Sequence, residues 1–190
     1  MLYFQIQAHG QSNLAYFNGS SYIVGDQLQP NNTFSVTFKT CYPTQTLVYQ
    51  PGQGSSNISI QLIGGVAVLQ WTTVAGVTYR VQGGLNLHDS NWNTIQFTPS
   101  SSNDSAYAGN FSVIAQFGTG NNSLLVNSSL NSIQPIGQAL FGGTIQENSI
   151  VINYNGCMNE SVFINTQNSS NIVWQCSPGC TPGVTNGKTL

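Results

Sequence analysis

The stretch NYNGCMNESVFIN, residues 153–165, joins a turn signal, a cysteine and an alternating run. Asn155-Gly156 is a typical turn pair, and ESVFIN alternates polar and apolar residues as a half-buried strand does. The stretch therefore predicts that Cys157 is a structural cysteine entering a late strand after a turn. A reactive thiol is disfavoured, because no cation or histidine stands near any cysteine in the sequence to stabilise a thiolate.

The same alternation recurs along the chain. In TFSVTFKT, residues 33–40, the apolar side chains Phe34, Val36 and Phe38 fall on one face. Further runs of period two are NISIQLIG, VTYRVQG, NTIQF, NFSVIAQFG and SIVINYN. Between them lie turn-rich clusters such as GDQLQPNN, PGQGSSN and TPSSSNDSAYAGN, and no stretch keeps a helical period. This organisation predicts an all-β, antiparallel two-sheet sandwich.

Charged residues make up only 4% of the 190-residue chain, against roughly 25% in typical proteins. A net charge of −2 and the lack of a cluster of Lys or Arg argue against nucleic acid and anionic membrane surfaces as partners. No apolar run approaches the roughly 20 residues of a membrane span. The first ten residues, MLYFQIQAHG, do not form a signal peptide. If the protein is secreted, its signal was removed or lies outside this sequence.

Amides and hydroxyls replace the missing charges, with 22 Asn and 22 Ser residues. The N-x-S/T acceptor pattern of N-glycosylation occurs nine times. The acceptor residues are Asn18, Asn31, Asn57, Asn103, Asn110, Asn121, Asn127, Asn159 and Asn168. Nine acceptors with almost no charge predict a secreted or cell-surface glycoprotein whose glycans supply solubility.

The order of several segments resembles that of the laminin G-like domain, found in laminin, neurexin, agrin and perlecan. AYFNGSSYIVG resembles the opening strand pair of that domain, and NNTFSVTFKT followed by TLVYQ resembles its next strands. LHDSNWNTIQF resembles the loop-then-Trp segment, which implies a core position for Trp92, although Asn93 follows where the family usually has His. LFGGTI, NYNGC and SPGC resemble the late Gly-Gly strand end, the Gly-Cys strand and the closing Cys.

The resemblance implies a concanavalin A-like jelly-roll sandwich used in extracellular adhesion, matrix assembly and receptor recognition. We assign residues 1–12 to an N-terminal strand or extension, 13–180 to the laminin G-like sandwich, and 181–190 to a C-terminal tail or linker. Such domains are usually not enzymes.

The four cysteines are Cys41, Cys157, Cys176 and Cys180. An even number in a secreted chain predicts two disulfides, and three pairings are open. The resemblance implies Cys157 with Cys180, which leaves Cys41 with Cys176. Zinc is disfavoured: Cys176-x3-Cys180 has a suitable spacing, but the other two cysteines do not and no His lies near.

Residues for catalysis are few. His88-Asp89 is the only adjacent acid–imidazole pair, no G-x-S-x-G nucleophile motif accompanies it, and it is better explained as a polar loop. Glu147 and Glu160 flank one predicted strand, but no acidic cluster typical of a glycosidase occurs. We therefore predict that the protein is not an enzyme and has no catalytic residue.

Laminin G-like domains often bind calcium at the sandwich rim, and the resemblance places the first ligand near Ser56 or Asn57. Neither is acidic, and NSSLNSIQPIG, expected to give the second ligand, has no acid either. We predict no metal or other cofactor; if calcium binds, Asp26, Asp89 or Asp104 would be its ligands. Lys39, Arg80 and Lys188 cannot form the basic patch that sulfated glycans require.

The N-terminal LYFQIQA alternates, with Leu2, Phe4 and Ile6 on one face. It is either the first strand of the sandwich or an assembly strand that pairs with an open edge of a neighbouring copy. The surface lacks the lysines that usually block such pairing.

The sequence as a whole predicts a non-catalytic extracellular binding module of adhesion or matrix type, glycosylated and disulfide-stapled. Its partner would be a protein or glycan on the cell surface or in the matrix. The alternatives are the repeating subunit of an extracellular fibre, built from copies of itself by strand pairing, and a glycan-binding, lectin-like domain.

Overall fold

A computed structural model describes residues 14–19, 21–28, 33–100, 107–114, 120–126, 135–146, 149–159 and 168–170. Within these ranges the secondary structure consists of fifteen β-strands, and no helix occurs. Accordingly, the described residues contain no membrane-spanning helix. The predicted domain boundaries at 12/13 and 180/181 fall outside the described residues and stay predictions.

The strands form two main sheets and one hairpin, all antiparallel. In spatial order the six-stranded sheet contains β1 (Leu14–Asn18), β14 (Asn155–Asn159), β3 (Phe34–Lys39), β8 (Asn93–Ser100), β9 (Tyr107–Ile114) and β10 (Gly120–Val126). The seven-stranded sheet contains β15 (Asn168–Ser170), β2 (Tyr22–Gly25), β11 (Ala139–Phe141), β4 (Gln45–Pro51), β5 (Asn57–Ile63), β6 (Val66–Thr72) and β7 (Thr78–Gly83). The hairpin joins β12 (Gly143–Gln146) to β13 (Ser149–Ile152) and packs against β4.

The alternating side chains explain why the sheets face each other. On β3 the residues Phe34, Val36 and Phe38 are buried, while the intervening positions face outward. The inner face of the other sheet contributes the apolar side chains of β5 and β6, which belong to the same buried cluster. Two half-apolar sheets bury these faces against each other. The predicted antiparallel sandwich is therefore confirmed.

The resemblance to the family was wrong about Trp92, which is 39% exposed and lies outside the core. The cause is the strand period: Asn93, Ile95 and Phe97 of β8 are buried, so Trp92 is in phase with the outward positions. Trp71 on β6 is the tryptophan that fills the core, 6.0 Å from the ring of Phe97.

The predicted turn at Asn155-Gly156 was also wrong, because β14 begins at Asn155 and Cys157 lies in its middle. Both residues already pair with β1, opposite Asn18 and Phe17. The remainder of the predicted late strand, residues 160–165, lies outside the described residues.

Tyr154 ties this strand to its neighbours. Its ring is fully buried and meets Phe17 edge-on, with ring centroids 5.2 Å apart. Its hydroxyl donates to the carbonyl oxygens of Cys157, at 2.8 Å, and Lys39, at 3.2 Å. Burial raises the pKa of Tyr154 well above its ordinary value, so the hydroxyl keeps its proton at neutral pH.

Gly156 is required where β14 passes β3. Its φ of +153° is unfavourable for other residues. A Cβ at this position would clash with the Lys39 carbonyl oxygen and would lie 2.8 Å from the Tyr154 hydroxyl oxygen.

We expect Gly156→Ala to lower the free energy of unfolding by about 2–4 kcal/mol, because backbone strain and overpacking each cost ~1–3 kcal/mol. Urea denaturation with the disulfides intact measures this loss. Gly54→Ala is the matched control: its φ is also positive, +64°, but nothing lies within 4 Å of the added Cβ. The control should lose only about 1 kcal/mol, and equal losses in the two variants would contradict this account of Gly156.

Candidate functional site

The loops of the sandwich gather at two opposite ends, because successive turns of an antiparallel sheet alternate between its ends. We call the end formed by loops 40–44, 63–66 and 84–92 the Trp92 rim. The end formed by loops 51–56, 73–77 and 135–138 is the Ile136 rim. The two rims differ in side chains and in backbone conformation.

The 84–92 loop is bonded to both of its neighbours on the Trp92 rim. The amide of Leu87 donates to the Gly65 carbonyl oxygen at 2.9 Å, and that of Ser90 donates to the Thr40 carbonyl oxygen at 3.1 Å. The three loops of this rim therefore form one connected structure.

A second set of hydrogen bonds braces the loop from within. Asp89 accepts from Asn91 twice: its Oδ1 from the backbone amide and its Oδ2 from Nδ2, both at 3.0 Å. The buried Asn93 donates its Nδ2 to the carbonyl oxygens of Leu87, at 3.2 Å, and Asn91, at 3.1 Å. Side-chain amides of the loop thus hold its backbone, and no sequence pattern predicts that a buried Asn would do this.

The pKa of Asp89 reflects this bracing. Burial acts to raise it, but the hydrogen bonds donated by the side chain and backbone of Asn91, with a further one from Asn93, outweigh burial. The net effect holds the pKa of Asp89 below its ordinary value. The carboxylate is therefore ionised at neutral pH.

Backbone strain is concentrated in the same loop. Asn86 (φ 55°) and Ser90 (φ 68°) are the two described non-glycine residues with positive φ. Such residues cost about 1–3 kcal/mol each, persist only where neighbours hold them, and cluster at functional sites. Here the hydroxyl of Ser90 lies 2.9 Å from Cys41 Sγ.

Large apolar side chains are exposed on both rims, but both of the exposed aromatic ones in the described chain lie on the Trp92 rim. Its exposed residues are Tyr42 (42%), Ile63 (39%), Leu85 (69%) and Trp92 (39%). The Ile136 rim exposes Val74, Val77 and Ile136. Exposed aromatic residues on a rigid surface are typical of binding sites, so the Trp92 rim is the candidate site. Its sequence signal was available, since counting back from Ile95 and Phe97 places Trp92 outward.

The sequence-predicted pair His88-Asp89 does not form a catalytic dyad in the described structure. Nδ1 of His88 is buried without a hydrogen-bond partner, and the carboxylate of Asp89 is bonded to Asn91 instead. The His88 ring packs against Gly65, where a Cβ would lie 2.7 Å from its Cε1. Glu147 and Glu160 lie outside the described residues.

Of the second segment expected to hold calcium, residues 135–137 are described, and they lie on the Ile136 rim, which also carries Ser56. The amide of Ile136 donates to the Pro51 carbonyl oxygen at 3.0 Å, and Gln50 Nε2 donates to the Ile136 carbonyl oxygen at 3.1 Å. Ser56 is buried and donates to the Gln53 carbonyl oxygen at 2.8 Å. No group of three metal-ligating side chains occurs within the described ranges, which omit 127–134.

The fallback ligands are separated. Asp26 follows β2, which runs in the same direction as β4 because both pair antiparallel with β11. It therefore lies at the end of the sandwich that carries the Ile136 rim, whereas Asp89 lies on the opposite rim. One ion could not bind both, and Asp104 lies outside the described residues. The expectation of no calcium stays a prediction.

The described cysteines, Cys41 and Cys157, are disulfide-bonded, and neither is free. Cys41 follows β3, and Cys157 pairs with Lys39 in the ladder between β14 and β3. Cys176 and Cys180 lie outside the described residues, so the disulfide pairing stays a prediction.

The glycosylation acceptors are spread over the described surface. Asn18 is exposed at the end of β1, and Asn57 and Asn159 are partly exposed. Asn110, Asn121 and Asn168 lie in β9, β10 and β15. Outside the described residues lie Asn31, Asn103 and Asn127, together with Leu2, Phe4 and Ile6 of the proposed assembly strand.

Two solved laminin structures share this fold. The LG1-3 region of the laminin alpha2 chain matches with a TM-score of 0.66 at 17% identity, covering 88% of this chain and 35% of that chain. Domains LG4-5 of the mouse laminin alpha1 chain match with a TM-score of 0.62 at 13% identity, covering 85% and 46%. This chain thus spans less than half the length of either. The laminin G-like jelly-roll fold is confirmed. No family model and no curated protein matches the sequence.

We expect Asp89→Asn to loosen the 84–92 loop, because a neutral amide accepts more weakly than a carboxylate. The free energy of unfolding should fall by at most about 1 kcal/mol, and the Asn91 amide should exchange its hydrogen faster. Because the folded pKa is depressed, this stabilisation is fully present above the unfolded pKa of about 3.9 and is lost as pH falls through the folded pKa.

Hydrogen exchange and urea denaturation between pH 3 and pH 7 measure both effects. Asp26→Asn, an exposed change at the other end of the sandwich, is the control and should alter neither. An Asn91 amide that exchanges equally fast in wild type and Asp89→Asn would contradict the bracing role.

Proposed function

We propose that this chain is a non-catalytic extracellular binding module of adhesion or matrix type, which engages its partner with the Trp92 rim. The single observation that carries the proposal is an exposed tryptophan on a strained loop that is hydrogen-bonded to both neighbouring loops. Holding an anchor residue in place before binding lowers the entropy lost in the complex. Trp92 itself is not buried in the sandwich, so we infer that it is held in place for an external partner.

The extracellular part of the proposal rests on chemistry and on the fold. Disulfide-bonded cysteines are typical of oxidising compartments, and nine glycosylation acceptors accompany a chain with 4% charged residues. The fold is that of laminin LG regions. We propose that the mature protein is secreted or cell-surface, N-glycosylated, and stapled by two disulfides.

Expression of the protein through a eukaryotic secretory pathway tests the proposed glycosylation and disulfide bonds. We expect enzymatic deglycosylation in H₂¹⁸O to convert Asn18 to labelled aspartate, because Asn18 is exposed at the end of its strand. Non-reducing mass spectrometry should show no free thiol. Ser20→Ala, which destroys that acceptor pattern, is the control for the label. An unmodified Asn18 with free thiols would contradict the extracellular proposal.

Binding to intact cells and cell-derived matrix tests the rim. We expect Trp92→Ala to weaken binding of the secreted protein at least tenfold, since central aromatic anchors contribute about 2 kcal/mol or more. Val77→Ala is the matched control, because Val77 is 50% exposed on the opposite rim. It should bind within twofold of wild type. Flow cytometry measures both, after denaturation curves have shown that the variants are folded.

Equal losses in the two variants, or a loss confined to Val77→Ala, would contradict the assignment of the Trp92 rim. No specific binding by the wild-type protein to either material would contradict the proposed function itself.

A further inference from the structure

The carboxylate of Asp89 carries a negative charge on the Trp92 rim that only neutral groups contact. Its hydrogen-bond donors are neutral groups: Asn91 donates to each oxygen at 3.0 Å, and the Asn93 side chain and the Asp89 backbone also contribute. The shift in the pKa of Asp89 is caused by burial and hydrogen bonds, and no positive charge contributes to it. The negative charge of the carboxylate is therefore not neutralised by these partners, and it can attract a cationic ligand.

The orientation of that carboxylate is fixed before any ligand arrives. Because Asn91 binds both oxygens, rotation of the carboxylate would break two hydrogen bonds of 3.0 Å. A planar, oriented carboxylate matches the fork of an arginine guanidinium, which donates two parallel hydrogen bonds. A lysine ammonium is a point charge and gains less from this geometry.

Trp92 provides the second half of the same recognition. It follows Asn91 directly and leaves 39% of its surface exposed. The face of an indole attracts a cation, and arginine is the residue that most often stacks there. An ionised carboxylate and an exposed indole three residues apart on one rigid loop therefore both favour a guanidinium.

The rest of the rim favours a protein over a glycan. Tyr42, Ile63 and Leu85 expose aromatic and aliphatic surface on the contacting loops. Protein interfaces combine such apolar residues with Trp, Tyr and Arg. The apolar surroundings would also exclude water from the charged contact and strengthen it.

We propose that the Trp92 rim receives an arginine side chain of a protein partner, with the guanidinium bonded to the Asp89 carboxylate and stacked on Trp92. The apolar residues next to that arginine would contact Leu85, Ile63 and Tyr42. This inference rests on the proposed function, because it names the partner class of the same rim.

A peptide titration tests the inference with the full chain. The probe is acetyl-Gly-Leu-Arg-Leu-Gly-amide, and its matched control carries citrulline, which keeps the shape of arginine but has no charge. We expect the arginine peptide to shift the Trp92 indole N–H resonance and the amide resonances of residues 84–93. The citrulline peptide should bind at least fivefold more weakly.

Variants locate the contact. Asp89→Asn and Trp92→Ala should each lower the affinity for the arginine peptide at least fivefold. Asp26→Asn should leave that affinity unchanged. Trp92→Ala lacks the indole reporter, so its binding is followed at the loop amides.

Equal binding of the two peptides, shifts located elsewhere, or no binding of the arginine peptide would overturn the arginine inference. The same would follow if a panel of neutral oligosaccharides shifted the 84–93 resonances and the arginine peptide did not. The proposed function fails separately, since it depends on the loss of cell and matrix binding in Trp92→Ala. Loss of that binding without discrimination between the peptides would leave the binding module standing and remove the arginine contact.

Discussion

The hydroxyl of Tyr154 shared between the carbonyl oxygens of Lys39 and Cys157 is the contact on which the rest of the sandwich depends. It joins the end of β3 to the middle of β14 inside the core, where an unpaired carbonyl would cost about 1–3 kcal/mol. It also dictates Gly156, since any side chain there would collide with the same carbonyl and hydroxyl. The disulfide-bonded Cys157 is placed by this junction.

The Trp92 rim is an extension of that junction. The Thr40 hydroxyl, one residue beyond β3, donates to the Asn155 carbonyl oxygen at 2.6 Å, and Gln45 Nε2 donates to the same hydroxyl at 2.7 Å. The Thr40 carbonyl oxygen then accepts from Ser90. A continuous set of hydrogen bonds thus runs from the buried tyrosine to the exposed loop. Strain at Ser90 can persist because this support is rigid.

The alternating patterns predicted β3 and β5 because period two is a local property that burial of one face enforces. The prediction that Trp92 lies in the core was wrong because it relied on the family resemblance. The alternation of its own strand, in which Asn93, Ile95 and Phe97 point inward, places Trp92 outward. The burial of Asn93 and its bonds to the loop could not be predicted from the sequence. A buried amide is stable only if loop carbonyls meet it, and those of Leu87 and Asn91 are brought there by the folded loop. The same holds for Gly156, whose requirement arises in part from Lys39 and Thr40, more than a hundred positions away.

Because charged residues are scarce, each ionised group has a larger effect on the local electrostatic field. With three cations and five acids in 190 residues, the field at a rim is set by one or two nearby side chains and is little altered by distant ones. Asp89 is such a group: its partners are neutral amides, which orient the carboxylate without neutralising it. Amide-rich loops elsewhere on the surface offer both hydrogen-bond donors and acceptors, so they discriminate weakly among ligands. Specificity in this protein should therefore come from the position where an oriented charge and an exposed aromatic ring occur on one loop.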